Sequence, residues 1–220
     1  AVTHADADST SAFADFWAAS SLTALNRGRF LDGIARFDPL PPPVHPWARA
    51  GQPTPLAAAD RPLADLAAAR RSRRRFAADP LPGHLLDRLL GSLAERDGHR
   101  AYAAGGGLYT CGVSVLLLNV DHPLNGQIAQ HDARRHVLTR VGPCPSWPEL
   151  TDDLAGQDAQ TAPAAVLAVF ADPTLMLEKY GERGGRFLLL EAGALLHHLG
   201  LAAAELDLAA YILGGSLDTR

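Results

Sequence analysis

A run of mostly apolar residues at 187–206 limits the fold more than any other feature of this 220-residue chain. Glu191, His197 and His198 interrupt the run. An apolar segment that carries such side chains is typical of a buried core helix rather than of a membrane span. A helix that is apolar on most sides must be covered by other elements, so the rest of the chain has to supply them.

Two shorter apolar runs have the length of buried strands. VSVLLLNV at 113–120 and AAVLAVFA at 164–171 each predict a fully buried strand, and LAAYIL at 208–213 is a weaker third candidate. No strand is predicted in the polar, proline-containing stretch between the first two. One face of the amphipathic helix predicted beyond Pro82 is formed by Leu85, Leu86, Leu89, Leu90 and Leu93. Together these elements predict an α+β fold, a sheet covered by helices.

The first part of the chain, 1–60, has the composition of an extension ahead of a domain at 61–220. STSAFADFWAASSLTAL predicts a short helix with a Ser or Thr cap. DPLPPPVHPWARAGQPTP is proline-rich and predicts an extended linker or surface wrap.

Composition argues against several classes of function. The net charge of -4 and the pI of about 6.1 imply no general attraction to nucleic acid or to an anionic membrane. Cys111 and Cys144 form no CxxC pair and are too few for a secreted disulfide framework, which favours a reduced, cytoplasmic protein. The acidic, polar start AVTHADADSTSAF does not have the pattern of a signal peptide.

Two motifs could hold an anionic ligand. RRSRRRF at 70–76 places five guanidinium groups and one hydroxyl together, a set that suits phosphate, although basic residues also favour the solvated end of a helix. YAAGGGLYT at 102–110 has three glycines ahead of a strand, where backbone N–H groups can approach a ligand, although a flexible turn has the same composition.

The histidines do not predict a metal site. His131 and His136 are five residues apart, and His197 and His198 are adjacent; neither pair has the HExxH spacing. Adjacent helical residues point about 100° apart, so they cannot easily bind one metal.

The chain contains a single lysine, Lys179, among 20 basic residues, and Tyr180 follows it. Three glycines in KYGERGG disfavour a regular helix there, so a turn leading into a helix from Arg186 is expected. Partial burial beside arginines would favour a neutral amine, which could act as a base. An exposed polar turn is the alternative interpretation.

Four segments, taken in order, resemble the SagB/McbC-type azoline dehydrogenases of the flavin-dependent nitroreductase superfamily. They are RRSRRRF, RAYAAGGGLYTCG, EKYGERGGRFLLLEAGALLHHL and ILGGSLD. The resemblance covers residues 62–218 and implies a nitroreductase-like fold with a mainly antiparallel sheet, an FMN cofactor and a homodimer. It also implies oxidation of thiazoline or oxazoline rings in a peptide, with a cyclodehydratase as a partner.

The resemblance also assigns roles to individual residues. Lys179 and Tyr180 match the Lys-Tyr pair tied to catalysis. The positions that would bind FMN are Arg70, Arg71, Ser72, Arg74, Gly105, Gly106, Gly214 and Gly215.

Two other functions are also compatible with the sequence. Ala103 and Ala104 stand where the resembled family has Pro-Ser, and the sequence ends where that family continues into a strand. Both departures suit a flavin-poor scaffolding subunit of a peptide-modifying complex. The remaining alternative is an NAD(P)H-dependent, nitroreductase-like enzyme that acts on small molecules.

Overall fold

The structure is a computed structural model that describes residues 11–36, 62–151 and 161–214. Its helices are α1 (Ala12–Ser20), α2 (Arg27–Arg36), α3 (Pro62–Ala69), α4 (Gly83–Gly91), α5 (Trp147–Thr151), α6 (Thr174–Tyr180) and α7 (Gly184–Glu205). Its strands are β1 (Leu81–Pro82), β2 (Cys111–Leu117), β3 (Val120–Asp121), β4 (Gln127–Asp132), β5 (Val137–Pro143) and β6 (Ala165–Ala171). The described helices and strands give an α+β fold, as the sequence predicts.

Four strands form an antiparallel sheet in the order β5-β4-β2-β6. β1 and β3 pair separately and in parallel. In β2, buried residues alternate with half-buried ones, and α7 packs against both β2 and β6. The hydrophobic core therefore lies between the sheet and α7, and α4 contributes Leu86, Leu89 and Leu90 to it.

The two strands predicted from apolar runs are confirmed as β2 and β6. The prediction that both are fully buried is wrong. Buried residues of β2 alternate with half-buried ones. β6 has no buried residue and its Phe170 is 42% exposed, because β6 lies at an edge of the sheet. The predicted strand at 208–213 is also wrong: these residues form no regular element, although Arg73 donates a backbone hydrogen bond to the Ala210 carbonyl. A single backbone hydrogen bond does not form the ladder that pairs two β-strands.

The predicted core helix is α7, which begins at Gly184 and ends at Glu205. Thr174–Glu205 is long and apolar enough to cross a membrane by length and composition, a test that core helices of soluble proteins also pass. Here the inner face of α7 is buried against the sheet, as expected for a core helix.

The N-terminal helix predicted from STSAFADFWAASSLTAL is α1. Ser11 is its N-cap, and the Ser11 hydroxyl accepts a hydrogen bond from the Ala14 N–H. The predicted proline-rich linker lies outside the described residues, and so does Gly215.

Candidate functional site

Lys179 and Tyr180 are the last two residues of α6, not part of the predicted turn. Gly181 follows with φ 58°, a left-handed conformation that suits glycine, and it ends the helix. A 3-10 turn, Gly181–Arg183, then leads directly into α7. We call residues 179–185 the Lys-Tyr corner.

The glycine loop lies against this corner. Gly106 has φ 60° and faces both side chains: a Cβ atom built there would lie 2.6 Å from Lys179 Nζ and would overlap Tyr180 Oη. A Cβ on Gly105 would lie 3.0 Å from Phe187 Cβ. Only glycine therefore fits at position 106 without displacing the lysine and the tyrosine.

Ring contacts hold the tyrosine of the corner. The Tyr180 and Phe187 ring centroids are 4.9 Å apart in an edge-to-face arrangement. Lys179 Nζ lies 5.3 Å from the Tyr180 ring centroid, within the range of a cation–π contact. Lys179 itself is exposed in the single chain, so the partial burial expected from the sequence is not seen.

Glu191 anchors the strand that follows the glycine loop. This α7 carboxylate is 1% exposed and accepts hydrogen bonds from the Cys111 N–H at 2.8 Å and the Thr110 hydroxyl at 3.3 Å. Burial, followed by the charge of Glu191, raises the pKa of Cys111 to about 12, so this thiol stays protonated. In the sequence Glu191 is visible only as an interruption of an apolar run, and no local pattern indicates this role.

Arg100 supports the glycine loop from the other side. Its backbone N–H donates to Tyr109 Oη at 3.0 Å, its Nη1 donates to Tyr102 Oη at 3.0 Å, and its guanidinium lies 4.9 Å from the Tyr109 ring centroid. Tyr109 has φ 48°, a conformation uncommon for residues other than glycine. These contacts fix the loop between α4 and β2.

The arginine segment, 70–76, lies beyond the end of α3 at Ala69 and has no regular secondary structure. Arg73 pairs with Asp207 at 2.8 Å, whereas in the described part of the chain Arg70, Arg71 and Arg74 have no carboxylate partner. Arg74 lies over the Tyr211 ring at 5.2 Å. Arg71, Ser72 and Arg74 are exposed, so the three side chains are accessible to an anionic ligand.

The arginine segment and the Lys-Tyr corner lie at opposite ends of α7. Arg70 reaches Gly200, where a Cβ would lie 3.5 Å from Arg70 Cδ, whereas Gly185 belongs to the corner. At 1.5 Å of rise per residue, Gly185 and Gly200 are about 22 Å apart along the helix. Gly214 is exposed, with open space where a Cβ would project. The structure thus brings Gly105 and Gly106 to Lys179 and Tyr180, but leaves the arginine segment apart.

Within the described residues, His131 and His136 form a close pair. His131 Nε2 and His136 Nδ1 are 3.2 Å apart, and His131 is buried. His198 contacts the Ser92 carbonyl at 2.9 Å. Burial, then His136 and Arg100, lowers the pKa of His131 to about 4.

This shift predicts loss of stability in acid. The unfolded chain takes up the His131 proton near pH 6.5, but the folded chain takes it up only near pH 4, so the free energy of unfolding falls as the pH drops between these values. Urea unfolding at pH 7 and pH 5 measures the effect. We expect His131→Gln to reduce the difference in the free energy of unfolding between pH 7 and pH 5, and the exposed His84→Gln to leave that difference unchanged. The same difference in the wild type and both variants would contradict the assignment of the effect to His131.

Comparison with known proteins supports a specific family. The sequence profile described as "Nitroreductase family" matches residues 67–220. A solved putative nitroreductase from Ralstonia eutropha JMP134 is 23% identical over 69% of each chain, with a TM-score of 0.52. One from Anabaena variabilis is 26% identical, with a TM-score of 0.60; the match covers 71% of this chain but only 34% of that one.

A third solved structure with this fold is the E. coli microcin synthetase McbBCD complex with truncated pro-MccB17 bound. The match is 20% identical with a TM-score of 0.54, and it covers 87% of this chain and 73% of the other. At this identity the likeness establishes the fold alone. No curated protein is similar enough to count as a relative.

Proposed function

Because this chain belongs to the nitroreductase family, whose members are flavin-dependent oxidoreductases, we propose that it is an FMN-dependent dehydrogenase that oxidises thiazoline or oxazoline rings of a peptide to azoles. The observation that carries the proposal is the contact of Lys179 and Tyr180 with Gly106. This contact places an amine and a phenol beside a backbone that has no side chain in the way.

Lys179 is the proposed base of the reaction. Oxidation of the ring removes one C–H hydrogen as a proton and the neighbouring C–H hydrogen with its electron pair. FMN, when bound, would accept that electron pair and hydrogen. The proton would pass to Lys179 in its neutral amine form, and the resulting ammonium would release it to solvent on its exposed side. Tyr180 Oη, on the same side of Gly106, orients the ring by hydrogen bonding.

The donor set of the arginine segment fits the phosphate of FMN. Arg70, Arg71 and Arg74 have no carboxylate partner in the described residues, and the Ser72 hydroxyl is exposed beside them. Guanidinium groups bind phosphate in bidentate fashion, and an exposed hydroxyl adds a neutral donor. We assign these four residues to the phosphate and ribityl chain, and Gly105 and Gly106 to the ring side. Gly214 and Gly215 complete the proposed set.

Replacing Arg71 and Arg74 together with glutamine is expected to weaken FMN binding by about 100-fold or more, because each charge-assisted hydrogen bond contributes about 1.5–3 kcal/mol. Quenching of flavin fluorescence during titration measures the dissociation constant. Arg75→Gln is the matched control, since Arg75 is exposed in the same segment and is not in the proposed set. An unchanged dissociation constant in the double variant would show that the phosphate binds elsewhere.

The distance along α7 favours a homodimer. One chain holds its arginine segment and its Lys-Tyr corner about 22 Å apart, too far to form one compact site. Two α7 helices packed antiparallel would bring the corner of one chain to the arginine segment of the other. Leu189 and Leu190, 42% and 68% exposed in the single chain, would be covered in such a pair.

The proposed peptide substrate and partner rest on the resemblance described above. A neighbour in fold belongs to a synthetase complex with a pro-peptide bound, which supports a peptide substrate and a cyclodehydratase partner for this chain. We propose that the protein acts in the cytoplasm, consistent with its two free cysteines.

A flavin-poor scaffolding subunit is the second candidate, since Ala103 and Ala104 offer no side-chain hydroxyl to a flavin. An NAD(P)H-dependent nitroreductase is the third, supported by the 26% identity to the protein from Anabaena variabilis. One experiment distinguishes the dehydrogenase from the scaffolding subunit. The purified protein is incubated with FMN, passed through gel filtration and denatured by heat, and the supernatant is analysed by mass spectrometry. Released FMN supports the dehydrogenase; no flavin supports the scaffold. Consumption of NAD(P)H with a nitroarene, without azole formation, supports the third.

A further inference from the structure

Helix α1 docks on the Lys-Tyr corner although it is more than 150 residues away in sequence. Glu182 Oε2 accepts hydrogen bonds from the Phe13 N–H at 2.8 Å and from the Ser11 hydroxyl at 3.0 Å. The carboxylate thus lies at the N-terminus of α1, where free backbone N–H groups and the helix dipole favour a negative charge.

An aromatic contact reinforces this link. A Cβ atom built on Gly185 would overlap the Phe13 ring, so the ring lies directly on the backbone of α7. The Phe13 ring also packs against Trp17, with centroids 5.8 Å apart. Phe13 is half-buried by these contacts, whereas Phe16 on the same helix is 54% exposed.

The corner has little stiffness of its own. Gly181, Gly184 and Gly185 are three of its seven residues, and glycine restricts the backbone less than any other residue. Glu182 and Gly185, the residues that contact α1, follow Lys179 and Tyr180 within six positions. A helix fixed to both residues therefore restrains the backbone that carries the lysine and the tyrosine.

We infer that α1 is a positioning element for Lys179 and Tyr180, and that Phe13 and Glu182 are positioning residues that act through the corner. The role of α1 in the reaction rests on the proposed function. The restraint of the corner by α1 does not. In this inference the N-terminal segment is more than a linker, because α1 holds the Lys179 amine and the Tyr180 phenol against Gly106.

Hydrogen exchange tests the restraint without any substrate. The Gly181 and Gly184 amides donate hydrogen bonds to the Leu177 and Gly181 carbonyls, so their exchange reports opening of the corner. Phe13→Ala and Glu182→Ala are each expected to speed their exchange on the order of tenfold. Phe13→Leu and Glu182→Gln, which keep an apolar side chain and an acceptor oxygen, should restore most of the protection. Phe16→Ala is the control on α1.

Two glycine substitutions on α7 test the same contact by adding a methyl group instead of removing a side chain. Gly185→Ala drives a methyl group into the Phe13 ring and should displace α1, which speeds exchange of the Gly181 and Gly184 amides. Gly193→Ala adds the same methyl on α7 where nothing lies within 4 Å, and should leave the exchange as in the wild type. Thermal unfolding of each variant confirms that the core is intact.

Turnover then tests the role in the reaction. With an azoline peptide, Phe13→Ala and Glu182→Ala are expected to lower kcat about tenfold while the FMN dissociation constant stays unchanged, and the conservative variants should recover the rate. Unchanged exchange in both alanine variants would overturn the restraint. Faster exchange with unchanged kcat would overturn the role in catalysis. A wild-type protein with no azoline oxidation at all would refute the proposed function, and the exchange result would still decide the restraint.

Discussion

Lys179→Ala is expected to slow azole formation by about 10²–10⁴-fold, the range that removal of a general base covers. FMN affinity should change little, because the proposed phosphate ligands lie at the other end of α7. Lys179→Arg keeps the charge but should be nearly as slow, because a guanidinium does not release its proton at accessible pH. Mass spectrometry at successive times measures the loss of two hydrogens from the peptide and so gives the rate of azole formation.

The neighbouring Glu178→Gln is the control, since Glu178 is exposed on the same turn of α6 and has no assigned role. It should retain the wild-type rate within a factor of about two. If Lys179→Arg proved as active as the wild type, the side chain would contribute its charge and not proton transfer.

Glu191→Ala is expected to lower the free energy of unfolding by about 3 kcal/mol. The change leaves the buried Cys111 N–H without its acceptor, which costs about 1–3 kcal/mol, and opens a cavity on α7. Glu191→Gln keeps an acceptor oxygen and should cost less. The midpoint and slope of a urea unfolding curve measure the change.

Glu205→Ala provides the comparison for charge, because Glu205 is exposed at the end of the same helix. It should change the free energy of unfolding by no more than about 0.5 kcal/mol. An effect of Glu191→Ala as small as that of Glu205→Ala would mean that water or another group replaces the carboxylate at Cys111.

The predicted parts of the fold are those in which apolar residues are contiguous. β2, β6, α4 and α7 all bury side chains in the core, and burial demands runs or helical spacing of apolar residues. β4 and β5 were not predicted because they carry many polar residues. β5 is one of the two edge strands of the sheet and is mostly exposed, so its sequence has no need of an apolar run.

The residues of the candidate site could be anticipated in part from the sequence, and their roles stay predictions. The single lysine and the family resemblance pointed to Lys179 and Tyr180, and three consecutive glycines pointed to the loop, but spacing in sequence could not show that Gly106 touches both side chains. The predicted turn is helical up to Tyr180 because the glycines that break the helix come only after it.

Two contacts of the candidate site have no signal in the sequence. Glu191 interrupts an apolar run, and only the fold shows that it accepts from the first residue of β2. The fit of the Phe13 ring on Gly185 joins two helices far apart in the chain, and neither segment has a pattern that points to the other. Long-range packing of this kind is decided by the tertiary structure rather than by local preference.

One anaerobic experiment tests whether Lys179 is the base in an FMN-dependent oxidation of the azoline ring. Purified protein loaded with FMN is mixed with an azoline peptide in the absence of oxygen, and the visible absorbance of the flavin is followed. We expect the wild type to bleach in proportion to the azole formed, whereas Lys179→Ala, with FMN bound equally well, stays yellow. A protein that does not bind FMN, or a Lys179→Ala variant that bleaches as fast as the wild type, would contradict the proposed role of Lys179.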